Sequence, residues 1–519
     1  MNVGQILDFA AERFPDKEAV VTDDSKLTYR QLAISSNKVA SFLVEEGVKK
    51  GDKVALISSN VPEMLVSFFG IVKAGGVAVP INYKSRAPEI KYLVDHSDSV
   101  FVIYGQSLTD TVLKAIHDLK KVRGGIYIGS QGAGEHISYP EIMSNYDLTA
   151  PGVDIEMLDA AEIIYTSGTT GDPKGCVLNH NNLFLVAMMA AGTFGLNVKS
   201  RTLHAMPLYH SAPLNLMMLG TTLVAGTHVL LPEYNPQKFL EVIQKEKITH
   251  LFAAPIALLA PMQLSNFSSY DLSSVVLWIY GGGPISSANA EILMKKYKTD
   301  RFMQVYGLSE SGPNGSYLAP EDQLSKAGSI GFCGTMNAHL RVINNSGDDI
   351  KSGEIGEIII RSETNMTEYY KNPSATAETL KDGWVYTGDL ARMDIDGYYY
   401  IVDRKKDMIV TGGENVYTKE VEDAIAQLQG VGQVAVFGVP HEDWGETVAA
   451  AIVLKPGTKL SPEDVQLFLH ERLAKFKIPR IIKFYESLPI TPTGKVMKYQ
   501  LREEFKIHRE NNYDTGNLH

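Results

Sequence analysis

Ile163-Ile-Tyr165 runs directly into Thr166-Ser-Gly-Thr-Thr-Gly-Asp-Pro-Lys-Gly175, and this junction of an apolar strand with a polar, glycine-rich loop decides how the chain is read. The β-branched and aromatic run predicts a buried strand. In the loop, glycines at 168, 171 and 175 let backbone N–H groups approach phosphate oxygens, while the hydroxyls of Thr166, Ser167, Thr169 and Thr170 add donors. Lys174 supplies a positive charge. This set suits a triphosphate, although composition alone describes a Ser/Thr/Gly surface linker equally well. The spacing Gly-x-x-x-x-Gly-Lys-[Ser/Thr] is absent, which sets the loop apart from an ordinary P-loop.

Outward from the loop, Val54-Ala-Leu-Ile57 and Val100-Phe-Val-Ile-Tyr104 read as buried strands. A helix is predicted over 87–94, and another closes at 70–76 before the extended Val77-Ala-Val-Pro80. Strands alternating with helices give α/β patterning. Toward the C-terminus, Val421, Ala424, Ile425 and Leu428 fall at i, i+3, i+4 and i+7, with Thr418 as the expected N-cap. Strands over 433–439 and 448–454 follow. Ser461-Pro462-Glu463-Asp464 then opens a helix expected to run to about Leu473. A small domain therefore closes the chain, with a boundary in the charged stretch 403–407, giving domains 1–403 and 404–519.

A chain of 519 residues exceeds what one core usually organises. Its net charge of -11 argues against nucleic-acid binding, which requires a basic face. Cys176 and Cys333 form neither a disulfide framework nor a metal-ligand pattern. The start of the chain has no basic n-region followed by an apolar h-region, so a cytoplasmic protein is expected. The most apolar stretch, 213–232, is interrupted by Asn215, Gly220, Gly226 and His228 and reads as core, with no transmembrane segment.

Further motifs occur in order along nearly the whole chain. They are Leu27-Thr-Tyr-Arg-Gln-Leu32, Lys73-Ala-Gly-Gly-Val-Ala-Val-Pro80, Pro207-Leu-Tyr-His210, Gly281-Gly-Gly-Pro284, Tyr306-Gly-Leu-Ser-Glu310, Gly353-Glu-Ile-Gly-Glu357, Tyr386-Thr-Gly-Asp389, Asp403-Arg404 with Gly412-Gly-Glu-Asn415, and Pro489 through Gly494-Lys495. Together with the phosphate loop they make the chain resemble the acyl-CoA synthetase, nonribosomal adenylation-domain and luciferase superfamily, and most closely its fatty-acyl-CoA synthetases. The resemblance implies an α/β fold: a large N-terminal domain of mixed α/β subdomains with a small β-barrel-like part, and a small mobile α+β C-terminal domain. It implies a ligase that uses ATP and Mg2+ to adenylate a carboxylic acid, releases pyrophosphate, and passes the acyl group to coenzyme A. A homodimer is an open assembly state.

Residue by residue, the resemblance assigns Ser167, Gly168, Thr169, Thr170, Gly171 and Lys174 to the phosphates. Tyr306 is assigned to the adenine face, Asp389 and Arg404 to the ribose, and Ser309 to the α-phosphate, with Gly282 and Gly307 in nucleotide-contacting motifs. Glu310 matches the magnesium ligand, with Thr166 as a second oxygen donor. Lys495 matches the lysine that bridges carboxylate and α-phosphate, and Lys406 matches the hinge. Gly413 belongs to the loop presented to pantetheine, Trp444 stands near coenzyme A, and His210 gates the acyl pocket. That pocket comprises 210–214, Ala254, 279–283, Pro313 and Asn314, and holds no arginine or lysine to pair a second carboxylate. The glycines at 281–283 leave room for a medium or long fatty chain, or for an aryl or alicyclic ring. Free coenzyme A is the expected acceptor, with a carrier protein as the alternative. A non-catalytic nucleotide- or acyl-binding relative is opposed by the presence of Lys174, Glu310, Asp389, Arg404 and Lys495.

Overall fold

The computed structural model describes residues 1–130, 135–146, 148–166, 173–283, 285–490 and 496–513. One eight-stranded sheet runs in the order Ile137–Ser138, Gly124–Ile128, Ser99–Gly105, Lys53–Ile57, Val77–Pro80, Ala160–Thr166, Lys174–Asn179, Glu368–Tyr369. The strands are parallel up to Ala160–Thr166, and the last two join antiparallel. Both apolar runs of the sequence, Val54 to Ile57 and Val100 to Tyr104, lie in its centre. A second eight-stranded sheet runs Gly315–Leu318, Phe302–Gly307, Leu277–Gly281, His250–Ala253, Arg201–His204, Thr227–Leu230, Glu18–Val21, Lys26–Thr28.

Thr166, Gly281 and Gly307 are the last residues of three of these strands. Carboxyl ends of strands in an open α/β sheet are where ligands bind, because the loops there are free of the crossover helices. The junction quoted first thus sits at a strand end of the kind that hosts ligands.

A five-stranded antiparallel sheet supplies the β-barrel-like part: Ala338–Ile343, Ile355–Ser362, Trp384–Met393 and Leu380–Lys381, with Tyr399–Arg404 paired to Trp384–Met393. From Ile409 onward a fourth sheet forms around the long hairpin Val431–His441 and Gly445–Leu454. Its two apolar clusters draw only on residues of this last part of the chain, including Val421, Ile425, Val436, Ile452 and Leu469 in one and Phe437, Leu501 and Phe505 in the other.

Several local expectations need correction. Thr418 is the first residue of the helix Thr418–Ala426 and does not cap it; its N–H and its hydroxyl donate to the Asp403 carboxylate, the hydroxyl at 3.0 Å. An anion from a neighbouring strand end thus meets the positive end of the helix. The helix opened by Ser461 ends at His470 rather than near Leu473, because the N–H groups of Arg472 and Leu473 both reach the Leu469 carbonyl and close the ladder. The apolar stretch after residue 212 is buried, as expected, but it opens with a π-helical segment, Ala212–Met218. No helix among the described residues is long and apolar enough to cross a membrane.

Candidate active site

The part of the site that holds Tyr306, Asp389 and Arg404 is built from three strands. Tyr306 comes from Phe302–Gly307, and Asp389 and Arg404 face each other in the antiparallel pair Trp384–Met393 and Tyr399–Arg404. The Tyr306 hydroxyl donates to Asp389 Oδ2 at 2.7 Å, and Arg404 Nε forms an ion pair with Oδ1 at 2.5 Å. Asp389 is only 4% exposed. Burial, then the adjacent Asp389 carboxylate, push the Tyr306 hydroxyl well above its ordinary pKa, so it stays a donor.

Thr387-Gly388-Asp389 form an irregularity inside the strand Trp384–Met393, where the pairing with Ile355–Ser362 shifts register. Gly388 sits at φ +69, a left-handed conformation that favours glycine. Its N–H donates to Glu357 Oε1 at 3.1 Å, its carbonyl accepts from Lys405 N at 2.7 Å, and the Asp389 N–H donates to the Thr387 hydroxyl at 3.0 Å.

The stem of the Thr166 loop adjoins it. Thr166 pairs with Lys174 across the mouth of the loop, and the Thr166 hydroxyl donates to the Lys174 carbonyl at 3.4 Å. Lys174 Nζ lies 5.0 Å from the ring centroid of Tyr369, whose hydroxyl donates to Glu310 Oε1 at 2.7 Å. Ser309, one residue before Glu310, places its hydroxyl 3.0 Å from that of Ser211. Ser211 follows His210, whose ring packs on Tyr209 at 4.2 Å. Glu310 acts electrostatically on Arg404, and Lys174 on Lys406, so the two parts lie within coulombic range of each other. Burial, then the Arg404 charge, lower Lys406 from its ordinary pKa.

Among the described residues, therefore, Thr166, Lys174, Ser309, Glu310, Tyr306, Asp389, Arg404 and Lys406 converge. Ser167, Gly168, Thr169, Thr170, Gly171 and Lys495 lie outside the described residues. Gly413 and Trp444 form a separate group. Gly412 and Gly413, at φ +59 and +83, turn the hairpin Ile409–Thr411 and Glu414–Val416, and the Gly412 N–H donates to the Trp444 carbonyl at 3.0 Å. The indole stacks on His441 at 4.2 Å and carries the Arg480 guanidinium 3.2 Å from its ring centroid.

Three pocket glycines and an asparagine divide differently from the expectation. A Cβ at Gly281 would stand 2.9 Å from the Val305 carbonyl oxygen, so that glycine serves strand packing, whereas Gly282 has open space and Gly283 nearly so. Gly307 likewise has structural work, since a Cβ there would come within 2.5 Å of the Pro313 carbonyl. Asn314 is committed too: its amide nitrogen donates to Asn337 Oδ1 at 2.7 Å and its oxygen accepts from Thr335 and from Gly315 N. It is therefore a hub of the wall rather than a pocket contact. The buried residues Met189, Leu216, Met217, Phe252, Ile279 and Met303 pack in one apolar cluster, and its Phe252 ring would stand 3.2 Å from a Cβ at Gly281.

Sequence reading passed over Tyr369 and the buried pair Glu162 and Asn215, in which Asn215 Nδ2 donates to Glu162 Oε2 at 2.8 Å. Neither belongs to a local pattern. The only signal was a glutamate inside an apolar strand run.

Comparison with known proteins gives the same picture. The family model described as AMP-binding enzyme matches residues 7–370, and that described as AMP-binding enzyme C-terminal domain matches 420–495. The chain is similar to the long-chain-fatty-acid–CoA ligase FadD13 of Mycobacterium tuberculosis, at 36% identity over 97% of this chain and 98% of the relative. It is similar also to a feruloyl-CoA synthase of Amycolatopsis sp, at 33% identity over 95% of this chain and 97% of the relative. The crystal structure of the anthranilate CoA ligase AuaEII in complex with anthranoyl-AMP superposes with a TM-score of 0.88, at 28% identity and covering 98% of each chain. With two consecutive family models matched and a relative aligned along nearly its whole length, the chain belongs to the AMP-binding enzymes and is an AMP-forming acyl-CoA synthetase.

Proposed function

We propose that the acid is a medium- or long-chain fatty acid, and that Asp389, Arg404, Tyr306, Lys174 and Glu310 bind the ATP that activates it. The observation that carries the nucleotide reading is Asp389: a buried carboxylate within the strand Trp384–Met393, held by a tyrosine hydroxyl and paired with a guanidinium. A carboxylate so placed accepts from the two vicinal hydroxyls of a ribose while the Tyr306 ring flanks the base. Lys174 and the hydroxyls of the Thr166 loop then face the phosphates.

Magnesium suits the residues present. Glu310 offers one carboxylate whose Oε1 is oriented by Tyr369, and no group of three or more acidic, histidine or cysteine side chains gathers among the described residues. That ion takes few protein ligands and completes its shell with phosphate and water oxygens. Bound there, it would neutralise phosphate charge. Lys495, assigned through the resemblance, is the cation that bridges the attacking carboxylate and the α-phosphate, whose mutual repulsion otherwise raises the barrier. We place the hinge near Lys406. Support comes from the gap between the two family matches and from the separate apolar clusters beyond Ile409.

The fatty-acid reading rests on the similarity to FadD13 and draws support from the buried apolar cluster that holds Ile279 of the expected pocket. A second reading, an aryl acid, is favoured by the similarity to the feruloyl-CoA synthase and to AuaEII. A panel of fatty, aryl and alicyclic acids, each with ATP and coenzyme A and monitored for AMP and pyrophosphate, separates them. Fatty acids of medium or long chain are expected to give the highest kcat/KM; preference for a ring acid would overturn the first reading in favour of the second.

A further inference from the structure

Tyr369 touches both charged groups of the phosphate end. It lies on the short strand Glu368–Tyr369, which pairs with Val177 and Cys176 of the strand leaving the phosphate loop, and it is 5% exposed. Its hydroxyl donates to Glu310 Oε1 at 2.7 Å, and its ring stands 5.0 Å from Lys174 Nζ. The backbone around it is fastened at four points. Met366 N donates to the Glu310 carbonyl at 2.8 Å, Tyr370 N to the Gly175 carbonyl at 2.8 Å, Tyr369 N to the Thr376 hydroxyl at 2.9 Å, and Asn372 N to the Tyr369 carbonyl at 3.0 Å. A segment so held spans from the glutamate to the loop stem as a bracket.

We propose that Tyr369 is a positioning residue for ATP activation: its hydroxyl fixes one Glu310 oxygen so that the other faces Mg2+, and its ring holds the Lys174 ammonium at the phosphates. A neutral donor to a carboxylate restricts the carboxylate's rotation without cancelling its charge, so the free oxygen keeps full affinity for a hard cation. The aromatic face similarly attracts an ammonium without competing for its three donors, as an acidic partner would. The inference rests on the assignment of Glu310 to Mg2+ and of Lys174 to phosphate.

The test uses the full chain and measures equilibrium binding of α,β-methylene-ATP as Mg2+ is titrated, for wild type, Tyr369→Phe, Tyr369→Leu and Glu310→Gln. Thioester formation from a supplied fatty acyl-adenylate and coenzyme A, a step that consumes no ATP, is the internal reference, with Tm as a check on folding. Loss of a hydrogen bond to a charged group predicts an increase of about tenfold in the Mg2+ concentration for half-maximal binding in Tyr369→Phe. Binding without Mg2+ and the thioester step stay within about twofold of wild type. Tyr369→Leu, which also removes the ring, weakens nucleotide binding without Mg2+ as well. An unchanged Mg2+ dependence in Tyr369→Phe, with a clear shift in Glu310→Gln, would overturn the role of Tyr369 and leave the metal assignment standing. No shift in Glu310→Gln would bring down the metal assignment itself. Equal loss in binding and in the thioester step, or a collapse of Tm in Tyr369→Phe, would mark a structural residue and also overturn the proposal.

Discussion

Asp389 and Glu162 are both removed from water, at 4% and 0% exposure, and the fold treats them in opposite ways. Asp389 receives a guanidinium and a phenol. Among the described residues Glu162 receives only the amide of Asn215, and its Oε1 and the Asn215 Oδ1 have no hydrogen-bond partner there. Burial drives the Glu162 pKa up to about 7, with the Asn215 bond opposing the rise only in part. A carboxylate meant to meet a ligand is surrounded by donors that keep it in register; one that fills a structural place is left to hold a proton. Asp389 lies opposite Arg404 in an antiparallel strand pair, whereas Glu162 lies four residues before Thr166 and ties the loop strand to the π-helical segment Ala212–Met218.

The same isosteric change, acid to amide, should therefore give opposite results at the two sites. Ranked by effect on turnover, Asp389→Asn comes first. It removes the charge paired with Arg404 and, on the proposed reading, the acceptor of the ribose hydroxyls, and the apparent KM for ATP is expected to rise at least tenfold. An unchanged KM with normal turnover would remove Asp389 from the nucleotide site. Asn215→Leu comes second: it strips Glu162 of its one partner and loosens the π-helical segment, with an expected several-fold rise in the KM for the acid and about 1 to 3 kcal/mol lost in urea unfolding. A shift in the KM for ATP instead would place that segment against the nucleotide.

Glu162→Gln should barely alter turnover, since glutamine accepts from Asn215 Nδ2 and can donate to its unpaired Oδ1. Its effect belongs to stability. The carboxyl is protonated in the fold up to about pH 7 but ionises near 4.5 once unfolded. The unfolded chain then holds fewer protons between those values, so the wild type loses stability as pH rises from 4.5 to 7 and levels off above. The amide has no such slope. Unfolding measured at pH 5 and pH 8 is expected to show the variant gaining on the wild type by at most about 3 kcal/mol. A constant difference across that range would contradict the neutral state of Glu162.

The comparison also shows where sequence reading reaches and where it ends. Apolar runs located the strands Lys53–Ile57 and Ser99–Gly105, and a Ser-Pro-Glu-Asp start located the helix Pro462–His470, because those signals are local. Ordered motifs brought Tyr306, Asp389, Arg404, Glu310 and Lys174 to attention one at a time. What escaped depends on partners far along the chain. Tyr369 and Glu310 are separated by 59 positions, Asn215 and Glu162 by 53. Asp403 fills the place expected of Thr418 from 15 positions upstream. Gly281, read as space for substrate, proved to be space for Val305, a distinction that only the neighbouring strand can make.

The central claim is that an acyl-adenylate forms before coenzyme A enters. Exchange of labelled pyrophosphate into ATP, with a fatty acid present and coenzyme A withheld, tests it most directly when run beside Lys495→Ala. The account predicts acid-dependent exchange in the wild type and none in the variant, which should still convert supplied acyl-adenylate and coenzyme A to thioester. Exchange that requires coenzyme A, release of ADP and phosphate, or equal loss of both half-reactions in the variant would contradict it.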